Sequence, residues 1–590
     1  MRKLVLLPAL LCLLPLGLST AQDSGPSGAE TRSYDLTGLT WSEFAPSAEV
    51  GKPQDWLAPD RVFESAEGAN EQELHWRLRN CTGGARCFGD VEDLTNAVLS
   101  LCAADEDAGY STDVTGSPRI RLTGSLELHR RFAWVLEAMQ AAARAEVRLT
   151  ASLLPPAPGA EVHVEEPQAV KLAAAGTLLG ATSGALGEVM TLQRLEVFEF
   201  AQRLEADSPD RAGQTSPRMA RLAAGREILA GALLLPDGRV WLHGWCAIQN
   251  LKAPRKDVPG AAMVDLPVTT WGFVPFSGLV ANGGALIVDE GAQRVLVRVQ
   301  VKGSLPNRTL ECGPNLTLGL INVSGALLGL TPPAPWLCGA ANDTADLRLG
   351  QSSHQAYESL VHGCASTAAC RTLAERVGVL AGGAVRSVVA LGPWLGILFT
   401  QPDETETPSP EFDAARREIS AALAAINAGP AAKAFRIRAW RSKNPGASVA
   451  SGKPDAAELS ALGSPLLDRS VSMTGHQTCE VLDLELLSRV AGFQSAKADA
   501  GATLETAVVA FGTQFRLCAR PRQDLTSATL RFALAEGDRK PGRSEGVETF
   551  RRQLAQAELS ADLEVGAVVC CVVPAPGGEG HLVVSLQRTR

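Results

Sequence analysis

The chain has 590 residues and a formal net charge of −9, with 45% hydrophobic and 20% charged residues. At roughly 100–200 residues per domain this is material for several cores, which excludes an intrinsically disordered chain. An acidic balance without a basic block excludes a nucleic-acid binder.

Residues 1–21 read as a cleavable export signal. Arg2 and Lys3 supply the positive start, Leu4 to Leu18 the apolar run, and Ser19-Thr20-Ala21 the small residues before a cut after Ala21. The run is shorter than the roughly 20 residues a membrane helix needs. Leu11 is too large for lipoprotein cleavage before Cys12. The expected location is the periplasm or the medium, which one signal serves alike. Residues 22–34 read as a linker. Of the 13 cysteines only Cys12 falls in the signal, and the remaining even number in an exported chain points to disulfides.

Residues 35–145 form a first unit. Leu74, Leu78 and Cys81 fall at i, i+4, i+7 and predict a short helix ending at Cys81, with Cys87 beyond it. Ile120 and Leu122 alternate with Arg119 and Arg121, which predicts a strand. Ser125 is placed as the N-cap of a helix whose apolar stripe is Leu128, Phe132, Val135, Leu136 and Met139. Alternation at Val147, Leu149, Ala151 and Leu153 predicts the next strand. It opens a β-rich region at 146–345, with strand-like runs at 239–245, 284–288 and 294–301 and room for helix in the Ala-rich stretch 168–206.

Residues 346–433 repeat the order. Tyr357, Val361 and Cys364 have the earlier helical spacing, with Cys370 beyond. Trp394 to Thr400 is a strand, Gln401 to Glu411 an acidic linker, and Phe412, Ala415, Ile419, Leu423 and Ile426 a helix stripe. Residues 434–590 are again β-rich. Phe435, Ile437 and Ala439 alternate with Arg436 and Arg438, further strands are expected at 506–510, 514–518 and 530–534, and 563–586 reads as one hairpin around Pro574–Gly580. Residues 441–453 read as a mobile loop. The shared order of helix, Cys-x5-Cys, strand, helix, strand argues for duplication. The expected fold class is α+β, with two small α/β modules each followed by a β-rich region.

Tyr34-Asp-Leu-Thr-Gly-Leu39 and Arg119-Ile-Arg-Leu-Thr-Gly-Ser-Leu-Glu-Leu-His129, with Phe132 and Leu136 behind, resemble the periplasmic N-domains of bacterial secretin-like proteins, closest to the divergent forms of planctomycete-type genomes. Glu127-Leu-His129 matches a Glu-x-His entry to the helix. The second copy has Arg416 in place of His129, so the repeat does not require the histidine. The resemblance implies units with helices on one face of a short sheet, stacked head to tail into periplasmic rings. The chain departs from secretins at the pore. With 5% aromatic residues and only 3 Tyr it offers no aromatic girdles, so no clear pore domain is expected.

No constellation for catalysis emerges. The histidines are scattered, with His354 and His362 near Cys364 but no third ligand for zinc. Gly446–Pro454 fails the phosphate-loop spacing, no nucleophile elbow is present, and Asp403–Glu406 reads as linker. No catalytic residue, metal or cofactor is assigned. Cys81 with Cys87 and Cys364 with Cys370 are expected to close small loops, each stabilising by roughly 2 kcal/mol. Cys312 and Cys338 bracket a Pro/Gly-rich connection as a further pair. Adjacent Cys570 and Cys571 are expected to point to opposite sheet faces. The expected function is that of a non-enzymatic exported envelope protein, with another copy or another envelope protein as partner. Neither a nucleic-acid partner nor a membrane segment in the mature chain is expected. The alternatives are an extracytoplasmic hydrolase using dispersed carboxylates and a soluble surface-binding protein.

Overall fold

The computed structural model describes residues 29–39, 91–102, 108–113, 118–155, 162–186, 189–206, 215–255, 266–291, 293–313, 316–324, 385–400, 432–446, 454–474, 477–495, 502–522, 525–540, 542–544 and 547–590, with single residues 414, 417, 419, 421, 449 and 452. The expected signal at 1–21, the two short helices expected to end at Cys81 and Cys364, the residues Cys81, Cys87, Cys338, Cys364 and Cys370, and most of the stretch 412–426 expected to be helical lie outside them.

The chain opens with β1 (Glu30–Asp35), α1 (Val91–Leu101), β2 (Gly109–Asp113), β3 (Arg119–Gly124), α2 (Leu126–Ala143), β4 (Glu146–Leu154), β5 (His163–Val164), α3 (Glu166–Ala175) and β6 (Thr177–Ala185). Four long strands follow, β7 (Val189–Ala206), β8 (Thr215–Leu234), β9 (Val240–Arg255) and β10 (Leu266–Val280). Next come β11 (Ala285–Asp289), β12 (Arg294–Lys302), β13 (Arg308–Gly313), β14 (Leu316–Asn322), β15 (Val385–Leu391), β16 (Trp394–Thr400), β17 (Ala432–Ser442), α4 (Ala456–Ala461) and β18 (Leu467–Thr474). The chain closes with β19 (Gln477–Ser495), β20 (Ala502–Arg522), β21 (Leu525–Gly537), β22 (Gly542–Ser544), β23 (Val547–Thr549), β24 (Arg552–Leu563), β25 (Val568–Pro574) and β26 (His581–Arg588).

Strand dominates, and the expected α+β fold of two α/β modules is not formed. Among the described residues there are four helices, and the strands gather into six sheets. The first helix layer shows why separate modules do not arise. Ser125 accepts from the Leu128 N–H at 3.2 Å and caps α2, whose Leu128, Phe132, Val135, Leu136 and Met139 are all buried. Phe132 packs on Tyr34 of β1, with ring centroids 5.0 Å apart. The same helix presents Trp134 and Glu137 to Arg308 of β13, whose guanidinium lies 5.2 Å from the indole centroid. Helix α1 meets β3 on one side and β15 and β16 on the other. Leu101 at its end lies directly on Gly396 of β16. One helical layer therefore serves both the sheet β1-β3-β2 and the sheet β13-β14-β16-β15, and elements read as two modules share one core.

The individual strands follow their patterns. In β3, Ile120 and Leu122 are buried between exposed Arg119 and Arg121, and in β17 Phe435, Ile437 and Ala439 are buried. In β4 the alternation holds to Ala151 and then slips. The register against β6 shifts between Ala151 and Ser152, so Leu154 is buried and Leu153 only partly so. Within the stretch 441–453 expected as a mobile loop, the described residues are anchored. Val449 is buried with Trp440, Leu459 and Cys570, and Gly452 exchanges backbone hydrogen bonds with Val449 and Cys570 at 3.1 Å each.

At the centre lies an eight-stranded antiparallel sheet ordered β24-β21-β20-β19-β10-β9-β8-β7. It joins strands from the two expected β-rich regions at β10–β19, where Phe273 pairs with Leu482. Its base is covered on both faces, which is why the run Trp241 to Ala247 is buried without alternation. Leu242, Cys246 and Phe276 share a core with Leu286, Val295 and Val297 of β11 and β12. Trp241 and Leu279 pack on the opposite face with Ile321, Leu395, Ile397 and Phe399.

Candidate assembly interface

The long strands run well past this base. β7, β8, β9, β10, β19 and β20 have 18, 20, 16, 15, 19 and 21 residues, where a typical strand has about 5–6. Their registers bring three hairpin ends, at Ala206/Thr215, Arg255/Leu266 and Ser495/Ala502, to the same end of the sheet. β21 does not follow. It reaches only to Gly537, two residues beyond the Ala535 that pairs with Gly512. Beyond that level the sheet is six strands wide, and its outer strands are β7 and β20.

These two strands run in opposite directions and approach one another, because the sheet curls. Among the described residues no ladder joins them. Two backbone bends mark where the distal half begins. Gly225 of β8 has φ +131° and Gly512 of β20 has φ +122°. Each lies against a neighbouring strand's carbonyl, Arg194 O and Asp483 O respectively, where a Cβ would collide. Successive pairings place Gly225, Gln249, Trp271, Leu484 and Gly512 in one row across the sheet. Glu227, Gln249, Trp271, Phe273 and Gln514 near this row are buried, and Glu227 accepts from Gln193 at 2.6 Å.

At the opposite border, β24 buries Ala555, Ala557, Leu559 and Leu563 and exposes Arg552, Leu554, Gln556, Glu558, Ser560 and Asp562. Outward charges on a border strand disfavour adventitious pairing.

The titratable groups that burial perturbs sit at joints. His129 is wholly buried. Its Nε2–H donates to Glu30 O at 2.9 Å, which leaves Nδ1 to accept from Tyr34 OH at 2.8 Å. Burial pushes the Tyr34 hydroxyl up to about 12. The Glu-x-His feature thus ties β1 to α2. His163 links three sheets, donating from Nδ1 to Leu279 O at 3.3 Å and accepting at Nε2 from Ser472 at 2.9 Å. Burial, then the nearby Arg590, lowers its pKa to about 4. His243, stacked on Trp241, is lowered to about 4 by burial alone.

Of the cysteines assigned to pairs, Cys312 alone is described. It lies on β13 and donates to Leu310 O at 3.5 Å. Cys570 donates to Val449 O at 3.1 Å in one core and Cys571 packs against the main core on the other face. Burial raises both thiols to about 11. Among the described residues no three His, Cys, Asp or Glu side chains converge as metal ligands, and no helix is long and apolar enough to cross a membrane. Sequence reading missed the long distal strands. Their only local trace is the pair of runs at 506–510 and 514–518, which are one strand bent at Gly512.

No protein-family model matches the chain, and no characterised protein matches it in sequence. Among solved structures the chain is similar to the secretin-domain β-barrel of InvG from the Salmonella SPI-1 injectisome, with 9% identity and a TM-score of 0.22 over 37% of this chain and 80% of that one. It is also similar to Aeromonas hydrophila ExeD, with 10% identity and a TM-score of 0.18 over 87% and 86% of the two chains. Likenesses this slight do not bear on function.

Proposed function

We propose that the chain is an exported, non-enzymatic envelope protein whose copies join edge to edge through the distal halves of their long sheets, forming a multi-chain β-wall. One observation carries this reading. The distal sheet has six strands and two border strands, β7 and β20, that run in opposite directions without a mutual ladder among the described residues. Pairing β7 of one copy with β20 of the next, in place of their approach to one another within one chain, preserves antiparallel alternation around any number of copies. Such a heterologous contact closes into a ring when the rotation between copies allows it. Closure also removes the open edges that would otherwise recruit other chains. The distal part of β20, Ala502 to Phe511, spans about 33 Å at 3.3 Å per residue, a length sufficient for a barrel wall.

The test is the mass of the mature protein by light scattering, with and without detergent. A single discrete oligomer is expected. Glu196→Pro and Val197→Pro should be made separately, because adjacent residues direct their N–H groups to opposite edges. One of the two should shift the mass to monomer, while Ser560→Pro in β24 should not. A wild-type monomer at all concentrations, or an oligomer indifferent to both β7 variants, overturns the proposal.

A further inference from the structure

The turn between β11 and β12 reaches the face of the long sheet that packs on these two strands, just below the row of bends. Arg226 of β8 and Asp483 of β19 lie in one row, one residue toward the base from Gly225 and Leu484 on their strands. The turn meets Arg226 directly and reaches Asp483 through Arg469. Glu290 takes a forked contact from Arg226, with Nη2 to Oε2 at 2.7 Å and Nε at 3.2 and 3.3 Å, and Gln293 accepts a further bond from Arg226 at 2.7 Å. Both members of the Arg226–Glu290 pair are nearly excluded from water, with side chains 11% and 4% exposed. On the other side Arg469 of β18 lies over Gly291, which has φ +89° and no room for a Cβ. Arg469 binds Asp483 at 2.6 Å and the Asp468 carbonyl at 3.2 Å. Asp468 is itself held by a two-pronged contact from Arg436 of β17, at 2.6 and 2.8 Å.

We propose that the Asp289–Arg294 turn is a strut. It fixes β8 through Arg226, and β19 through Arg469 and Asp483, and so sets the angle at which the distal hairpins leave the base beyond Gly225 and Gly512. The geometry suits this role more than simple cohesion. The two held strands flank β9 and β10, and the contacts fall immediately before the bends rather than along the buried base. A forked, desolvated arginine–carboxylate pair also fixes orientation as well as distance. The strut acts within one chain, so it stands whether or not copies assemble.

The test is amide hydrogen exchange on the full mature chain, comparing wild type with Arg226→Lys, which keeps the charge and loses the fork, and with Glu290→Gln, which keeps the shape and loses the charge. Exchange in β8 and β19 on the distal side, at 218–224 and 485–490, should accelerate about tenfold or more, while β12 and β14 stay within about a factor of two. The exchanged pair Arg226→Glu with Glu290→Arg should recover part of the loss. Unchanged distal exchange overturns the strut, and so does equal acceleration throughout the chain, which would mark a general stabilising pair.

Discussion

Tyr34 and His129 show how a recognisable residue pattern can be structural. The imidazole is wholly buried and both its nitrogens are occupied by β1, one by the Glu30 carbonyl and one by the Tyr34 hydroxyl. Tyr34→Phe removes the donor and strands a buried acceptor, at an expected cost of about 1–3 kcal/mol in chemical unfolding. His163 gives a pH dependence of definite sign. Its folded pKa of about 4 lies below the ordinary 6.5. Between these values the folded state binds fewer protons than the unfolded, so stability falls as pH drops from 6.5 towards 4 and levels off below. The contribution is on the order of 3 kcal/mol. His163→Gln should reduce the slope of stability against pH in that window. It should not abolish it, since His243 titrates in the same direction. An unchanged slope in melts from pH 7 to pH 4 would contradict the assignment.

Elements were legible where their own periodicity decides them. The stripe of α2 and its Ser125 cap, the alternation of β3 and β17, the run Trp394–Thr400 and the closing hairpin of β25 and β26 all follow from spacing within a few residues. Legibility ended where a neighbour intervenes. The bulge opposite β6 moves Leu154 inward at the expense of Leu153, and no alternation in β4 announces it. Gly396 is another such place, because its missing side chain is explained only by Leu101 on a helix far away in the chain. Gly396→Ala should cost about 1–3 kcal/mol through overpacking. Combined with Leu101→Ala it should cost less than the sum of the two single changes, as a double-mutant cycle of unfolding free energies would show.

At the scale of the molecule, two similar halves are expected from the sequence, whereas the described elements of the two stretches are interleaved. The reason is physical. Local periodicity records which face of an element is buried but not which element buries it. The helices of the first half cover β16 of the second, and the central sheet is continuous from β7 to β24. A fragment ending at residue 345 lacks β15 and β16, as well as the partners β19, β20 and β21. It should show no cooperative thermal transition and no fixed aromatic environment by near-ultraviolet circular dichroism. A cooperative transition would show that the first half is an independent unit.

The junction of β10 with β19 bears on how the molecule comes into being. About two hundred positions separate Phe273 from Leu482, so the central sheet carries a large loop-closure cost and should form slowly. It also cannot be completed while the last quarter of the chain is still being synthesised. The connectivity thus delays completion of the sheet, and the three hairpins can rise together only after the carboxyl-terminal strands have arrived.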